Sequence, residues 1–405
     1  ALLAALALVP GLPLFPFLLL AGAAAQIARW TSQMQRDKQR SEVERETVVA
    51  QPATSDKEEA LIHAVAPVTM ELGAALSDAL RAAGGDDAVR EEIKAVREAI
   101  FMRLGVRVPA VRLRFAVPGL PPDGIRVSVF EVAEAQGQVP VDRVVSFGDV
   151  RELTAQGFDA VPGVHPLTRQ IVALVAAPQA ELLRQRGIHM LSLAQHVMLH
   201  LGAAIHRRAD RFLGLAEVQA SLDQIEGSHG ALVDAVVPRV VSLALLTGVM
   251  KRLVGEGVSV RDLRAILEGF AEEAVEGQDV VELTEIARVA LARSITARLA
   301  PDGVLQGLLV DQAIEDAVRQ GIRRDAGKKP RLAIPPQITS EILDAFRPHM
   351  QGDGPRVIVT SQDVRRFVRQ LLALEHGTVV VVGLGELHDG VRFEPAGTVT
   401  VGRLR

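Results

Sequence analysis

The clearest alternation of apolar and polar positions in the chain lies between Val237 and Ala274. Leu243, Leu246, Met250 and Leu253 recur at three- and four-residue steps, which puts them on one helical face. Ser242 stands where an N-cap is needed, and Gly255 and Gly257 supply permissive backbone to end the helix. A second helix is predicted to start at Ser259, with Asp262 three residues on at capping-box spacing. Its apolar stripe is Val260, Leu263, Ile266, Leu267 and Phe270, with Arg261, Arg264, Glu268, Glu272 and Glu273 mostly on the other side. The pattern predicts a helical hairpin with one buried seam.

Residues 1–28 carry no charge and are long enough to span a bilayer core, which needs about 20 apolar residues. Pro10, Pro13 and Pro16 interrupt them, a feature tolerated where neighbouring helices cover the freed backbone. A signal peptide would put its basic residues first. Here Arg29, Arg36, Lys38 and Arg40 follow, with Trp30 at the boundary, so the positive-inside rule places the rest in the cytoplasm. The start at Ala1 inside an apolar run reads as a fragment of a longer protein. Thr31 to Glu59 is polar and densely charged, a tether.

From about Ala60 the pattern turns globular. VAPVTMELG reads as a strand, Asp86 to Leu104 as a helix with Val89, Ile93, Val96 and Ile100 on one face, and VRVPAVRLRF and IRVSVFEVA as strands. Short β-like runs follow (VDRVVSF, IVALVA), then a helix through GIHMLSLAQHVMLHL and a long helical stretch from Ala204 to Gly227. After the hairpin, Glu282 to Leu299 is helical. The last part repeats strand, cap and helix three times: at VLQGLLVDQAIEDAVRQGIR, at RLAIPPQITSEILDAFRP with Thr339 or Ser340 as cap, and at PRVIVTSQDVRRFVRQLLA. The β run GTVVVVGLGEL closes the series, so a small sheet with helices on it is expected.

Composition narrows the chemistry. The 405 residues contain no cysteine, which removes disulfides, thiolate zinc sites and cysteine nucleophiles. One tryptophan, no tyrosine and a net charge of −4 leave little for nucleic acid to stack on or be drawn to. A helix-turn-helix would set Arg261 and Arg264 on phosphates, but the same helix ends in an acidic run. His196 and His200 have a zinc-ligand spacing, yet Val197 stands where a metalloprotease needs its glutamate. His206 lies off their face, and ordinary core or surface histidines are the simpler reading. GLGEL lacks the third glycine of a nucleotide loop and precedes no clear helix. Arg365, Arg366 and Arg369 read as a solvated helix side. No paired carboxylates, nucleophile–base set or phosphate loop points to an enzyme, no cofactor or metal is implied, and the residues alone also fit a membrane-tethered cytoplasmic protein-interaction module.

Several phrases resemble the large export-gate subunit of type III secretion systems: VSVRDLRAILEGFAEEA above all, then LVPGLP, LGLAEVQASLD and ELTEIARVALARSITARL. The phrases near VDQAIEDAVRQGIR and LAIPPQITSEIL favour the injectisome branch over the flagellar one. The resemblance covers nearly the whole chain. It implies an α+β multi-subdomain protein: a last transmembrane helix (1–28), a linker (29–56), and a cytoplasmic domain of four subdomains. These are an α/β subdomain (57–126, completed by 184–204), a small β-rich insert (127–183), an all-helical third (205–285) and a fourth α/β one (286–405). It implies a homo-oligomer, a nonameric ring, in the bacterial inner membrane. Its partners would be secretion chaperones, gatekeeper and secreted proteins and other export-apparatus subunits, with no nucleic acid. Chaperone and cargo would dock in a groove at Pro166, Thr168, Leu199 and His200, and Arg261 and Arg264 would bear on neighbouring copies. Departures from the family pattern are local. Arg114, Phe115 and Ala116 replace an Arg-Asp-Asn, and of an Asp-Pro-x-[Phe/Tyr]-Gly-Leu phrase only Pro166 remains within His165 to Gln170.

Overall fold

β1 (Val68–Leu72) is built by strict alternation: Val68, Met70 and Leu72 are fully buried, while Glu71 faces the other way. In register, Glu71 lies opposite Arg114 on one neighbour and Arg126 on the other, and it accepts hydrogen bonds from them at 2.8 and 3.2 Å. These strands belong to the computed structural model of the chain, which describes residues 65–275, 277–323, 330–350, 357–376 and 379–402. The expected membrane segment 1–28 and linker 29–56 lie outside the described residues. Among the described residues no helix is long and apolar enough to cross a membrane.

After β1 comes α1 (Ala74–Leu104), broken at Gly84 and Gly85, the latter at φ 76°. The predicted helix from Asp86 is therefore its second half; Leu76 and Leu80 anchor an unforeseen first half. β2 (Val111–Arg114), β3 (Gly124–Val129) and β4 (Val132–Gln138) complete a sheet of order β2-β1-β3-β4. The stretch IRVSVFEVA is thus two strands and not one. Phe130 and Glu131, at φ 48° and 67°, form a two-residue turn between them. Neither is a glycine or asparagine, so the turn carries no sequence signal; Phe130 is held by Phe212, ring centroids 5.6 Å apart. The boundary expected after residue 126 cuts β3, and the first sheet runs on to Gln138.

Gly73, between β1 and α1, is the tightest backbone approach in this lobe. A Cβ there would meet the Pro121 carbonyl oxygen at 2.0 Å and that of Pro122 at 2.6 Å. Backbone cannot yield as a side-chain tip can, so Gly73→Ala is expected to cost about 2 kcal/mol or more, read as a shifted urea midpoint.

A second sheet of order β6-β7-β5-β8 follows, from β5 (Arg143–Ser146), β6 (Ala160–Val164), β7 (Ile171–Ala176) and β8 (Met190–Leu191). It carries the short helices α2 (Val150–Ala155), capped by Asp149, and α3 (Ala180–Gln185). Because β8 pairs with β5, residues 190 and 191 belong to the insert rather than to the first lobe. Leu153, Phe158, Ala173, Val175 and Leu183 form a separate small core.

α4 (Leu193–Arg207) opens with a full capping box of Ser192 and Gln195 and returns to the first lobe. The expected continuous helix from Ala204 is interrupted by a turn of 3-10 helix (Ala209–Phe212) before α5 (Leu215–Val236). α6 (Leu243–Gly255) has the predicted Ser242 cap, which accepts from the Leu245 N–H. α7 (Leu263–Glu273) starts three residues later than expected. Asp262, not Ser259, is its cap, accepting from the Ala265 N–H at 3.1 Å. Ser259 instead turns the chain before it. The predicted stripe is buried throughout. α8 (Val280–Ala290) and α9 (Ala292–Leu299) follow, and α8 crosses the boundary expected at 285. Leu283, Ala287, Leu291 and Ile295 share the core of the hairpin and the first sheet.

The last lobe has its own core. It comprises β9 (Val304–Val310), α10 (Gln312–Gln320), β10 (Ile322–Arg323), β11 (Arg331–Leu332), α11 (Pro336–Phe346), β12 (Val357–Thr360), α12 (Arg365–Leu372), β13 (Val380–Gly383) and β14 (Arg392–Val399). The parallel sheet runs β13-β12-β9-β14. α11 begins at Pro336, a favoured first helical residue, so Thr339 and Ser340 lie inside it and cap nothing.

Candidate docking groove and buried joint

Pro166 and Thr168 sit in the loop between β6 and β7, and Leu199 and His200 on α4. The loop is folded tightly by its own histidine. His165 Nδ1 accepts from the backbone N–H groups of Leu167 and Thr168, both at 3.2 Å, and the His165 N–H donates to the Gln170 carbonyl at 2.9 Å. Arg207, at the end of α4, reaches both sides. Its guanidinium donates to the Pro166 carbonyl at 3.2 Å and to the Glu134 carbonyl at 2.7 Å. His200 packs against β4, where a Cβ on Gly137 would lie 3.0 Å from its ring. The loop, β4 and α4 therefore meet, and the predicted groove residues other than Leu199 are tied to that meeting by contacts. Leu199 is half-buried on the same helix.

The histidines here are uncharged at neutral pH. Burial, with His200 adding to it, pushes His196 down to about 4. Burial, Arg207 and His165 do the same to His200. His206 falls to about 4 through burial and the neighbouring Arg103, Arg298 and Arg207. The His196 and His200 rings are 6.0 Å apart, but among the described residues no three His, Cys, Asp or Glu side chains gather as a metal ion would need.

Beside the loop the insert presents an apolar face that sequence reasoning missed. Val164 and Ile171 are cross-strand partners, 54% and 73% exposed, and Phe147, also exposed, lies 6.5 Å from the His165 ring. Clustered exposed apolar side chains mark contact surfaces. Alternation along two separate strands gave no hint that Val164 and Ile171 share a face.

The proposed ring arginines differ from each other. Arg264 is exposed and paired with Glu268 at 2.7 Å along α7. Arg261 is engaged within the chain: it donates to the Met102 carbonyl at 3.2 Å and lies against Gly105 at the end of α1.

The second site is a buried joint between the helical lobe and the last one. Arg365, expected on a solvated face, is 0% exposed. It binds Glu285 on α8 at 2.5 and 2.9 Å, and Glu256, just past α6, at 2.8 Å. Arg288, 1% exposed, binds Glu386 at 2.5 and 2.9 Å and Glu256 at 3.0 Å. Glu386, 0% exposed, also lies 3.3 Å from Arg365. Both arginines donate to the Val381 carbonyl, and Thr296 donates to the Glu386 carbonyl at 2.8 Å. Burial pushes the Glu256 carboxyl up, but Arg365 and Arg288 together hold it below the usual carboxylate range. Burial opposes charge on Arg365 as well, and Glu285, Glu256 and Glu386 overcome it. Arg366 and Arg369 are only half-buried. No spacing rule joins residues so far apart in the chain, so sequence reasoning could not find this network.

A model of the FHIPEP family matches residues 1–392. The chain belongs to the FHIPEP family. This FHIPEP chain is 30% identical over 338 residues to the Low calcium response locus protein D of Yersinia pestis, covering 82% of the chain and 47% of that protein. It thus spans about half the length of the curated relatives it matches. Among solved structures, the Chlamydia pneumoniae CdsV protein has a TM-score of 0.76 at 28% identity, over 86% of this chain and all of that one. CdsV has also been solved in complex with CdsO. The cryo-EM structure of nonameric EPEC SctV-C shares the fold, with a TM-score of 0.68 at 24% identity, over 84% of this chain and all of that one. The mixed α/β architecture of this FHIPEP chain is that of these domains.

Proposed function

We propose that this chain is the docking part of the export gate of a type III protein secretion system. On this reading it hangs from the bacterial inner membrane by its N-terminal segment and works in the cytoplasm as a homo-oligomeric ring, nonameric in number. It holds chaperone–cargo complexes and passes them on, and it is not an enzyme. Family membership supports the system, and the nonameric SctV-C supports the ring. The CdsV–CdsO complex supports a further partner from the secretion machinery. The four-subdomain organisation belongs to the same proposal, with the sheet boundaries given above.

The observation that carries the docking reading is the meeting of the His165–Gln170 loop with α4 beside the exposed apolar pair Val164 and Ile171. A helix or strand of a partner laid there would bury apolar side chains and find polar backbone at the rim. Arg264 is proposed to face a neighbouring copy in the ring, and Arg261 to set the angle of the hairpin that carries it.

The test is secretion in cells carrying Ile171→Asp, Leu199→Ala or Thr168→Ala. Ile171 is largely exposed, so its replacement leaves folding intact. Secretion is expected to fall about tenfold for Ile171→Asp, the loss of one central apolar contact, at unchanged protein level. Normal secretion from all three variants would sink the groove assignment.

A further inference from the structure

A cavity of about 560 Å³ opens where the insert loop, the end of α4, the turn after α6, α9 and β13 come together. Its wall is basic and not neutralised. Arg103, Arg207 and Arg298 line it, and among the described residues none of them has an ion-pair partner. Arg207 and Arg298 spend their hydrogen bonds on backbone carbonyls, those of Pro166, Glu134 and Arg103. The carboxylates on the same wall are already bound: Glu134 by Arg208 at 2.7 Å, Glu256 by Arg288 and Arg365. His206 stands among the three arginines with its buried Nε2 making no hydrogen bond. Burial and the neighbouring Arg103 both disfavour charge on Arg298, so the convergence favours entry of something negative.

We propose that this cavity is a binding site for a small, multiply charged phosphoryl anion. Its volume falls in the range of small-molecule sites, about 300–1,000 Å³, and is too confined for a protein surface. Planar guanidinium forks match phosphoryl oxygens two at a time. Because the wall is drawn from several lobes, a bound anion ties them together and stabilises the folded chain by mass action. Inorganic pyrophosphate and the phosphates of a nucleotide offer the same chemistry.

Calorimetric titration of the purified chain at low salt, with pyrophosphate in one arm and adenosine triphosphate in the other, tests this. The expected result is one site per chain, weakened by added salt, with a raised melting midpoint. Equal affinity in the two arms assigns the site to free phosphoryl groups, and tighter binding of the nucleotide assigns it to nucleotides. Arg298→Gln and, separately, Arg103→Gln, both exposed positions, are expected to weaken binding about tenfold, while Arg90→Gln, exposed on α1 away from the cavity, leaves it unchanged. No binding in either arm, undiminished binding by both cavity variants, or binding only of an oligoglutamate peptide would overturn the proposal.

Discussion

Replacing Arg365 with alanine is expected to lower stability by about 3–5 kcal/mol, the usual cost of removing one partner from a buried ion-pair network. The reason lies in what is left behind. Glu256, Glu285 and Glu386 would remain in place with Arg288 alone among the two fully buried cations, and Glu386 has no access to water. Protonating a carboxyl to escape that arrangement is itself a loss of stability at neutral pH. For a described unit of this size the melting midpoint should fall by about 5 °C or more. The break should also localise. These side chains join the end of α6 and α8 to α12 and the turn after β13, so hydrogen exchange should accelerate first in the last lobe. A companion variant, Arg365→Met with Glu285→Gln, removes charge from both sides and should recover part of the loss. A single variant that melts with the parent would mean that the joint contributes nothing.

Acid should begin to destabilise this protein above the pH at which carboxylates titrate. His196, His200 and His206 have folded-state values near 4, against 6.5 for a free imidazole. The folded values lie below the unfolded one, so the unfolded chain takes up protons first as pH falls. Stability from these groups is complete above about pH 6.5 and is lost progressively down to about pH 4. Each histidine that is still neutral in the folded state costs about 2 kcal/mol on going from pH 7.5 to pH 5. Three such groups make acidification one of the largest perturbations open to this fold. Glu256 acts in a lower window, because its depressed value matters only as pH falls below the ordinary carboxylate range. Urea midpoints across pH 5 to 7.5 should show the slope, and His206→Gln should flatten it by about a third. A flat profile in the parent protein would show that the imidazoles titrate freely.

Both effects come from groups whose surroundings a linear reading misjudges. The helical hairpin was legible because a 3.6-residue period needs only local sequence, and Leu246, Met250, Leu253, Ile266, Leu267 and Phe270 are all buried as the pattern requires. Its caps were half legible. Ser242 caps as predicted, but Ser259 and Asp262 compete at the second helix, and only the backbone decides which oxygen meets an orphaned N–H. The proposed docking groove rests on resemblance around Pro166 and His200. Its apolar flank at Val164 and Ile171 was not legible, because cross-strand register brings those two together.

The hydrophobic periods and the family phrases settled by themselves the helical hairpin, most of the helices and the family. They did so because each depends on residues a few positions apart. Where β3 stops and β4 begins, whether Arg365 meets water or three glutamates, and how distant stretches of chain close one arginine-lined cavity were decided by tertiary packing. Charge on a side chain states a preference for water or a counter-charge, and only the assembled neighbours determine which of the two it obtains.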